Sequence, residues 1–176
     1  MKTHNFNDSI QVGKDGEQTV QRYLEGRPNV KKYEDVSDNK EYQGKDVDGL
    51  LHMLGGHIRK VEIKTDTYTT GNIFYETQSC VEFDTLGCME KTEADYLYYY
   101  LPNFAVMYII NMEKYRKWFR LHRHMFAFKT FKNVKKYGNG TYHSAGYCIP
   151  MKYLEAKFSD KYWKKVDMSA WQRTVA

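Results

Sequence analysis

The stretch Asp46-Val47-Asp48-Gly49-Leu50-Leu51-His52-Met53-Leu54-Gly55-Gly56-His57-Ile58-Arg59-Lys60-Val61-Glu62-Ile63-Lys64-Thr65 decides how the chain is read. Gly55-Gly56 is a hairpin signal, and the residues after it alternate strictly between apolar and polar. Two antiparallel strands joined by a tight turn are therefore expected. Period two puts Glu62 and Lys64 on one face of the second strand and Val61, Ile63 and Thr65 on the other. The hairpin also returns the Asp46/Asp48 end towards Glu62, with thirteen residues between Asp48 and Glu62. Carboxylates and an amine then gather at one end of a sheet.

Upstream, residues 13–26 read as a helix. Gly13, Glu17, Val20 and Leu24 recur at helical spacing with Tyr23 beside them, and Gly26 and Pro28 supply a stop. Glu17 thus falls on the inward stripe. Residues 30–36 read as a short edge strand, followed by a polar loop over 37–45. Downstream, Thr69-Thr70-Gly71-Asn72 is a turn and 73–79 a strand. Residues 94–101 and 105–110 look like buried strands separated by Pro102-Asn103. A helix over 111–122 starts with Asn111 as N-cap, and Glu113 in its first turn suits the helix dipole. The basic, aromatic stretch 123–143 has no clear period, and 111–136 is taken as one basic helical segment. Residues 144–150 read as a late strand and 151–158 as a short helix. With no repeat and no linker, residues 1–176 are expected to form one α/β domain, a mixed central sheet with flanking helices. Its core is placed at about 13–110 plus the strand at 144–150.

Bulk properties narrow the function classes. The 176 residues suffice for a real core, and 41% are hydrophobic against 28% charged. No apolar run approaches the ~18 residues of a membrane helix. The polar N-terminal stretch carries no apolar signal-peptide core, and Cys80, Cys88 and Cys148 are odd in number and lack CxxC spacing. A reducing, cytoplasmic setting without a zinc–cysteine site is expected. The net charge is +5, concentrated between Lys114 and Lys136. That surplus suits a polyanion such as DNA, because each neutralised phosphate releases counterions. It would also suit a solvated face. Aromatics reach 16%, which serves core packing, interfaces or base stacking alike.

Three acidic-x-Lys triplets occur: Asp38-Asn39-Lys40, Glu62-Ile63-Lys64 and Glu155-Ala156-Lys157. The first lies in a polar loop and the last in a surface helix. Only the middle one sits in an alternating strand. Hard oxygen ligands there suit Mg²⁺, with Mn²⁺ as a substitute, since these ions favour one or two carboxylates plus waters and substrate phosphate. Lys64 would orient the attacking water or stabilise developing charge. Glu17 could complete the site. A surface ion pair between Glu62 and Lys64 is the plainer alternative.

Gly13-x-x-x-Glu17, Asp48 and Glu62-Ile63-Lys64, in this order, resemble the PD-(D/E)XK nuclease superfamily. Glu62-Ile63-Lys64-Thr65-Asp66, Thr70-Gly71-Asn72-Ile73-Phe74-Tyr75-Glu76 and Thr92-Glu93-Ala94-Asp95-Tyr96 further resemble its small phage-type members. The resemblance covers about 13–110, with 146–150 as a last core strand. It implies a restriction-endonuclease-like αβββαβ core and Mg²⁺-dependent phosphodiester hydrolysis. Glu17, Asp48, Glu62 and Lys64 would be the catalytic set, and the Ile63 main-chain carbonyl a further metal ligand. Members act in phage or mobile-element recombination and repair, including Holliday-junction resolution, or as restriction endonucleases, commonly as homodimers. Two departures stand: no proline precedes the aspartate, and Asp46 competes with Asp48 as metal ligand.

Other residues enter as secondary candidates. Glu76 and Gln78, on the strand after the motif, could extend the site or face solvent, and Asp66 could bind water near it or form an ion pair. Arg116, Lys117, Arg120, Arg123, Lys129 and Lys132 are candidate DNA contacts. His52 and His57 flank the hairpin turn without a third ligand. His122 and His124 lack HNH-type spacing, and no Gly-x-Ser-x-Gly elbow, Walker loop or dinucleotide-binding glycine motif occurs. A non-catalytic nucleic-acid-binding protein is the rival reading from another class.

Overall fold

The expected hairpin lies inside a mixed six-stranded sheet. The computed structural model describes residues 6–134, 140–157 and 162–172. Helix α1 (Phe6–Glu25) leads into β1 (Val30–Asp35), a single turn α2 (Lys40–Gln43), and the hairpin strands β2 (Gly49–Met53) and β3 (Ile58–Thr65). Then come β4 (Asn72–Cys80), β5 (Thr85–Leu86), the short α3 (Cys88–Lys91), β6 (Tyr96–Leu101) and β7 (Val106–Asn111). Helix α4 (Met112–His122), β8 (Ala127–Val134), β9 (Thr141–Pro150), α5 (Met151–Lys157) and β10 (Trp163–Asp167) complete the described chain.

Local chemistry explains several boundaries. The hairpin turns at Gly56, whose φ of +83° favours glycine, and Gly49 sits opposite Val61. Asn111 caps α4 by accepting from the Lys114 N–H at 3.0 Å, as its position led one to expect. Helix α1 begins at Phe6, well before the expected residue 13. Strand β2 is shorter than expected, because Asp46 has φ +47° and the extended run starts only at Gly49.

The larger sheet runs β1-β2-β3-β6-β7-β10. Its neighbours are antiparallel except β3 and β6, which are parallel, with Glu62 beside Leu97 and Lys64 beside Tyr99. A parallel pair needs a long crossover, and here the crossover carries β4, β5 and α3. β4 does not return to the first sheet. It joins a second, fully antiparallel sheet ordered β5-β4-β9-β8. This corrects the expectation of one central sheet containing 144–150: β9 pairs with β4 from Asn72–Pro150 to Gln78–Ala145. It also corrects the helical reading of 111–136, since the helix ends at His122 and 127–134 is an edge strand. Residues 135–139 and Phe158 lie outside the described residues.

Strand β6 separates two cores. Tyr98 and Tyr100 pack with Val20, Tyr23 and Leu24 of α1, and with Leu51, Val61 and Ile63. Leu97, Tyr99 and Leu101 face the other way, onto Ile73, Tyr75, Tyr115, Trp118 and Phe119. Much of the aromatic surplus is therefore core. Tyr75 stacks on Phe119 with centroids 3.6 Å apart. No described helix is long and apolar enough to cross a membrane.

Helix α1 seats on β3 through Gly16. A Cβ there would fall 1.8 Å from Thr65 Oγ1, whereas one at Gly13 would meet nothing within 4 Å. Gly16→Ala is expected to cost about 1–3 kcal/mol by overpacking. Gly13→Ala should add about 0.5–1 kcal/mol by removing a flexible residue from the helix interior. Urea unfolding of both variants checks this, and equal effects of the two would contradict the seating.

Candidate active site

Strand β2 stops one residue short of Asp48, leaving a notch beside β3. The Asp48 N–H still donates to the Val61 carbonyl at 2.9 Å. The Asp48 side chain then fills the notch, Oδ2 accepting from the Ile63 N–H at 2.7 Å. The fit depends on Gly49, where a Cβ would lie 2.3 Å from the Tyr33 ring.

Glu62 and Lys64 point to the opposite face from Val61 and Ile63, as the alternation requires. Glu62 is 2% exposed, and its Oε1 accepts from Lys64 Nζ at 2.9 Å. The other oxygen, Oε2, is buried with no hydrogen-bond donor. The carboxylate of Asp48 lies within hydrogen-bonding reach of Glu62. Two buried carboxylates cannot meet in this way as anions without a proton or a cation between them.

The electrostatics follow from this crowding. Burial, opposed by Lys64 and reinforced by Asp48, pushes Glu62 up to about 8. Asp48 is also raised, chiefly by burial, with the Ile63 N–H holding it down in part. Burial alone would lower the Lys64 ammonium, but the neighbouring carboxylic groups of Glu62 and Asp48 work against it and keep it protonated. Cys88 is buried and pushed up to about 12, so it stays a thiol and offers no nucleophile.

Glu17 approaches from α1. Burial raises its carboxyl, with the charges of Asp48 and Asp35 adding to the effect. It shares with Asp48 a cleft of about 220 Å³ that Lys14, Tyr33, Asp35 and Asp38 also line. Asp35 and Tyr33 were not among the sequence candidates. The pairing of Asp35 with Gly49 is what places Asp35 there, and only the β1–β2 register could have revealed it.

The remaining candidates separate. Asp46 has partners of its own: its carboxylate pairs with Lys91 at 3.0 Å and its carbonyl accepts from Thr92 Oγ1. Glu76 comes near Lys64, but its Oε2 accepts from the Cys88 N–H at 3.2 Å. Gln78 turns away and donates to Asp84 at 2.7 Å. Asp66 accepts from Tyr99 Oη and the Tyr68 N–H, so its role is to fasten the end of β3. His52 faces Glu34 across β1 and β2 at 2.9 Å. Glu155, from a decoy triplet, pairs with Lys165.

Among the basic candidates, Arg116 is a correction. Its guanidinium turns inward, Nε to the Met89 carbonyl at 2.7 Å and Nη2 to that of Thr92 at 2.6 Å. Lys117 pairs with Glu113, and Arg120 approaches Glu90 at 3.7 Å. Arg123, Lys129 and Lys132 are exposed, the last two on the edge strand β8.

Among the described residues no group of three or more His, Cys, Asp or Glu side chains is arranged to hold a metal. Magnesium does not require one, since one or two carboxylates with waters are its usual protein share. Glu62, with one donor-free oxygen, and the neighbouring Asp48 carboxylate fit that requirement. Comparison with protein-family models, with curated proteins and with solved structures finds no match.

The raised Glu62 carboxyl has a measurable consequence for the metal-free protein. Between about pH 4.5 and pH 8 the folded state keeps a proton that the unfolded chain has lost. Stability is therefore present at low pH and falls as pH rises through that window. Urea midpoints in EDTA are expected to decline across it, and the decline to flatten in Glu62→Gln. A midpoint equally pH-dependent in that variant would contradict the assignment.

Proposed function

We propose that the chain is a magnesium-dependent deoxyribonuclease whose active site is Asp48, Glu62 and Lys64, with Glu17 beside them. The observation that carries this reading is a buried Glu62 carboxylate with one oxygen held by Lys64, the other without a hydrogen-bond donor, and the Asp48 carboxylate within hydrogen-bonding reach of the group. Asp48 is fastened by the Ile63 N–H, but as a second buried carboxylate beside Glu62 it adds repulsion that a structural Glu62–Lys64 ion pair does not need. A cation-binding site needs that second carboxylate.

Asp48 and Glu62 would hold the ion. In an extended strand a residue's N–H and C=O leave on the same edge, so the Ile63 carbonyl shares the edge occupied by Asp48 and is the natural third ligand. When bound, magnesium polarises the scissile phosphate and lowers the pKa of a coordinated water. Lys64 keeps its proton and supplies positive charge where the phosphorane oxygen becomes more negative. Glu17, with its raised carboxyl in the adjoining cleft, accepts a hydrogen bond or a proton from water entering the site. The order α1, three antiparallel strands, short α3 and then β6 parallel to β3 is also what the PD-(D/E)XK resemblance implies, and supports a restriction-endonuclease-like core. The positive net charge suits DNA as substrate.

Within this reading we favour phage or mobile-element recombination or repair, with junction resolution as the preferred substrate class. A homodimer would place two sites for two strands. The test is incubation with linear, single-stranded and four-way-junction DNA in Mg²⁺, Mn²⁺ or EDTA. Metal-dependent cleavage is expected, falling roughly a hundredfold or more in Asp48→Ala, Glu62→Ala and Lys64→Ala, and unchanged in Gln78→Ala. Absence of cleavage of every substrate would overturn the function. Cleavage indifferent to all three site substitutions would overturn the site.

A further inference from the structure

On the α1 face of the larger sheet, at the opposite end of β3 from Lys64, lies a groove of about 290 Å³. Arg59 marks its place on β3. At about 3.3 Å per residue, Arg59 and Lys64 stand roughly 17 Å apart along the strand. They also lie on opposite faces of the sheet, so the groove is separate from the candidate active site.

Its chemistry is one-sided. Arg27, Arg59, Lys114 and Lys164 line it, and none of the described residues lining it is an Asp or Glu. None of the four cations has an ion-pair partner among the described residues. Both arginines are instead held against rings. Arg59 stands over Tyr96 at 5.2 Å from the ring centroid. Arg27 lies over Tyr23 at 5.5 Å and donates one bond to its hydroxyl at 2.9 Å. A guanidinium has five donors, so most of each fork remains for another acceptor. Tyr96 and Tyr98, two apart on β6, share this side; Tyr98 is buried in the core at the groove's floor, and Tyr96 is half-buried.

Four cations without an ion-pair partner among the described residues, set around the half-buried Tyr96, fit a ligand that is both anionic and aromatic. Phosphate suits the forked arginines, and a planar base suits tyrosine and a stacked guanidinium. The volume matches one such unit, near the lower end of small-molecule sites, and is too small for a duplex. We propose that this groove is a second, metal-independent site that takes a single nucleoside phosphate, its base against Tyr96 and its phosphate on the arginines and lysines. The unit could arrive as a free nucleotide or as the 5′-phosphorylated end of a single strand, which share this chemistry.

The test is titration of the full chain in EDTA with 5′-AMP, adenosine, inorganic phosphate, and short oligo-dT with or without a 5′-phosphate. Isothermal calorimetry and competition supply the readout. Saturable binding of 5′-AMP is expected, with adenosine and inorganic phosphate each at least about tenfold weaker. Arg59→Ala and the exposed Lys164→Glu should each weaken it by about tenfold, the effect of losing one charged contact. Lys164 is at the surface, so that variant tests the site even if Arg59→Ala folds poorly. Competition by phosphorylated oligo-dT identifies a strand end as the source, and binding of 5′-AMP alone identifies the free nucleotide. No saturable binding of either, equal affinity for inorganic phosphate, or affinity unchanged in both variants would overturn the proposal. Binding that requires Mg²⁺ and disappears in Lys64→Ala would also overturn it, by assigning the ligand to the candidate active site. DNA cleavage without nucleotide binding in EDTA would leave the nuclease reading standing and reject the groove alone.

Discussion

A carboxylate buried in the middle of a sheet imposes a demand on everything around it. Glu62 lies on β3, flanked on one side by β2 and on the other by the parallel strand β6. One of its oxygens is satisfied by Lys64, the other has no hydrogen-bond donor, and the Asp48 carboxylate lies within reach of the group. Removing such a group from water is expensive unless it is paired. The cost is sustained here at a point where β2 has just ended and a cleft opens beside α1. Burial and incomplete pairing are what a bound cation at the proposed site would relieve.

The topology follows from where β3 must sit. Its Val61/Ile63 face needs a hydrophobic lid, which α1 supplies by closing on Thr65 over Gly16. Its Glu62/Lys64 face needs a partly polar one. The crossover to β6 supplies it with β4 and α3, whose Glu76 and Cys88 stand near Lys64. Arg116 joins α4 to the end of α3 by gripping the Met89 and Thr92 carbonyls, and Thr92 in turn holds the Asp46 carbonyl. A side chain that looks like part of a basic surface is thereby a brace for the wall of the site.

What was legible in the sequence had local causes. The Gly55-Gly56 turn and period two placed Glu62 and Lys64 on one face, and the Asn111 cap marked the start of α4. Glu17 could be placed on the inward stripe from helical spacing alone. Long-range pairing was not legible: nothing near Asn72 announces that it will lie beside Pro150 in a second sheet. Strand β8 had no pattern to read because nearly all its residues are exposed on an edge. Nothing in the linear sequence separates Asp46 from Asp48: the positive φ of Asp46 and the Ile63 N–H that holds Asp48 belong to the folded chain. Gly13 drew notice through its spacing from Glu17, yet Gly16 makes the close approach. The basic groove draws residues from α1, β3, β6, α4 and β10, too scattered for any linear reading.

The proposed metal site requires Asp48 and Glu62 to converge on a divalent cation. Anomalous diffraction from crystals of the protein soaked in Mn²⁺ tests it most directly. The account requires a manganese peak between the Asp48 and Glu62 carboxylates, lost in Glu62→Gln crystals soaked in the same way. A pair of carboxylates still in contact with no peak between them, or manganese bound only elsewhere, would contradict it.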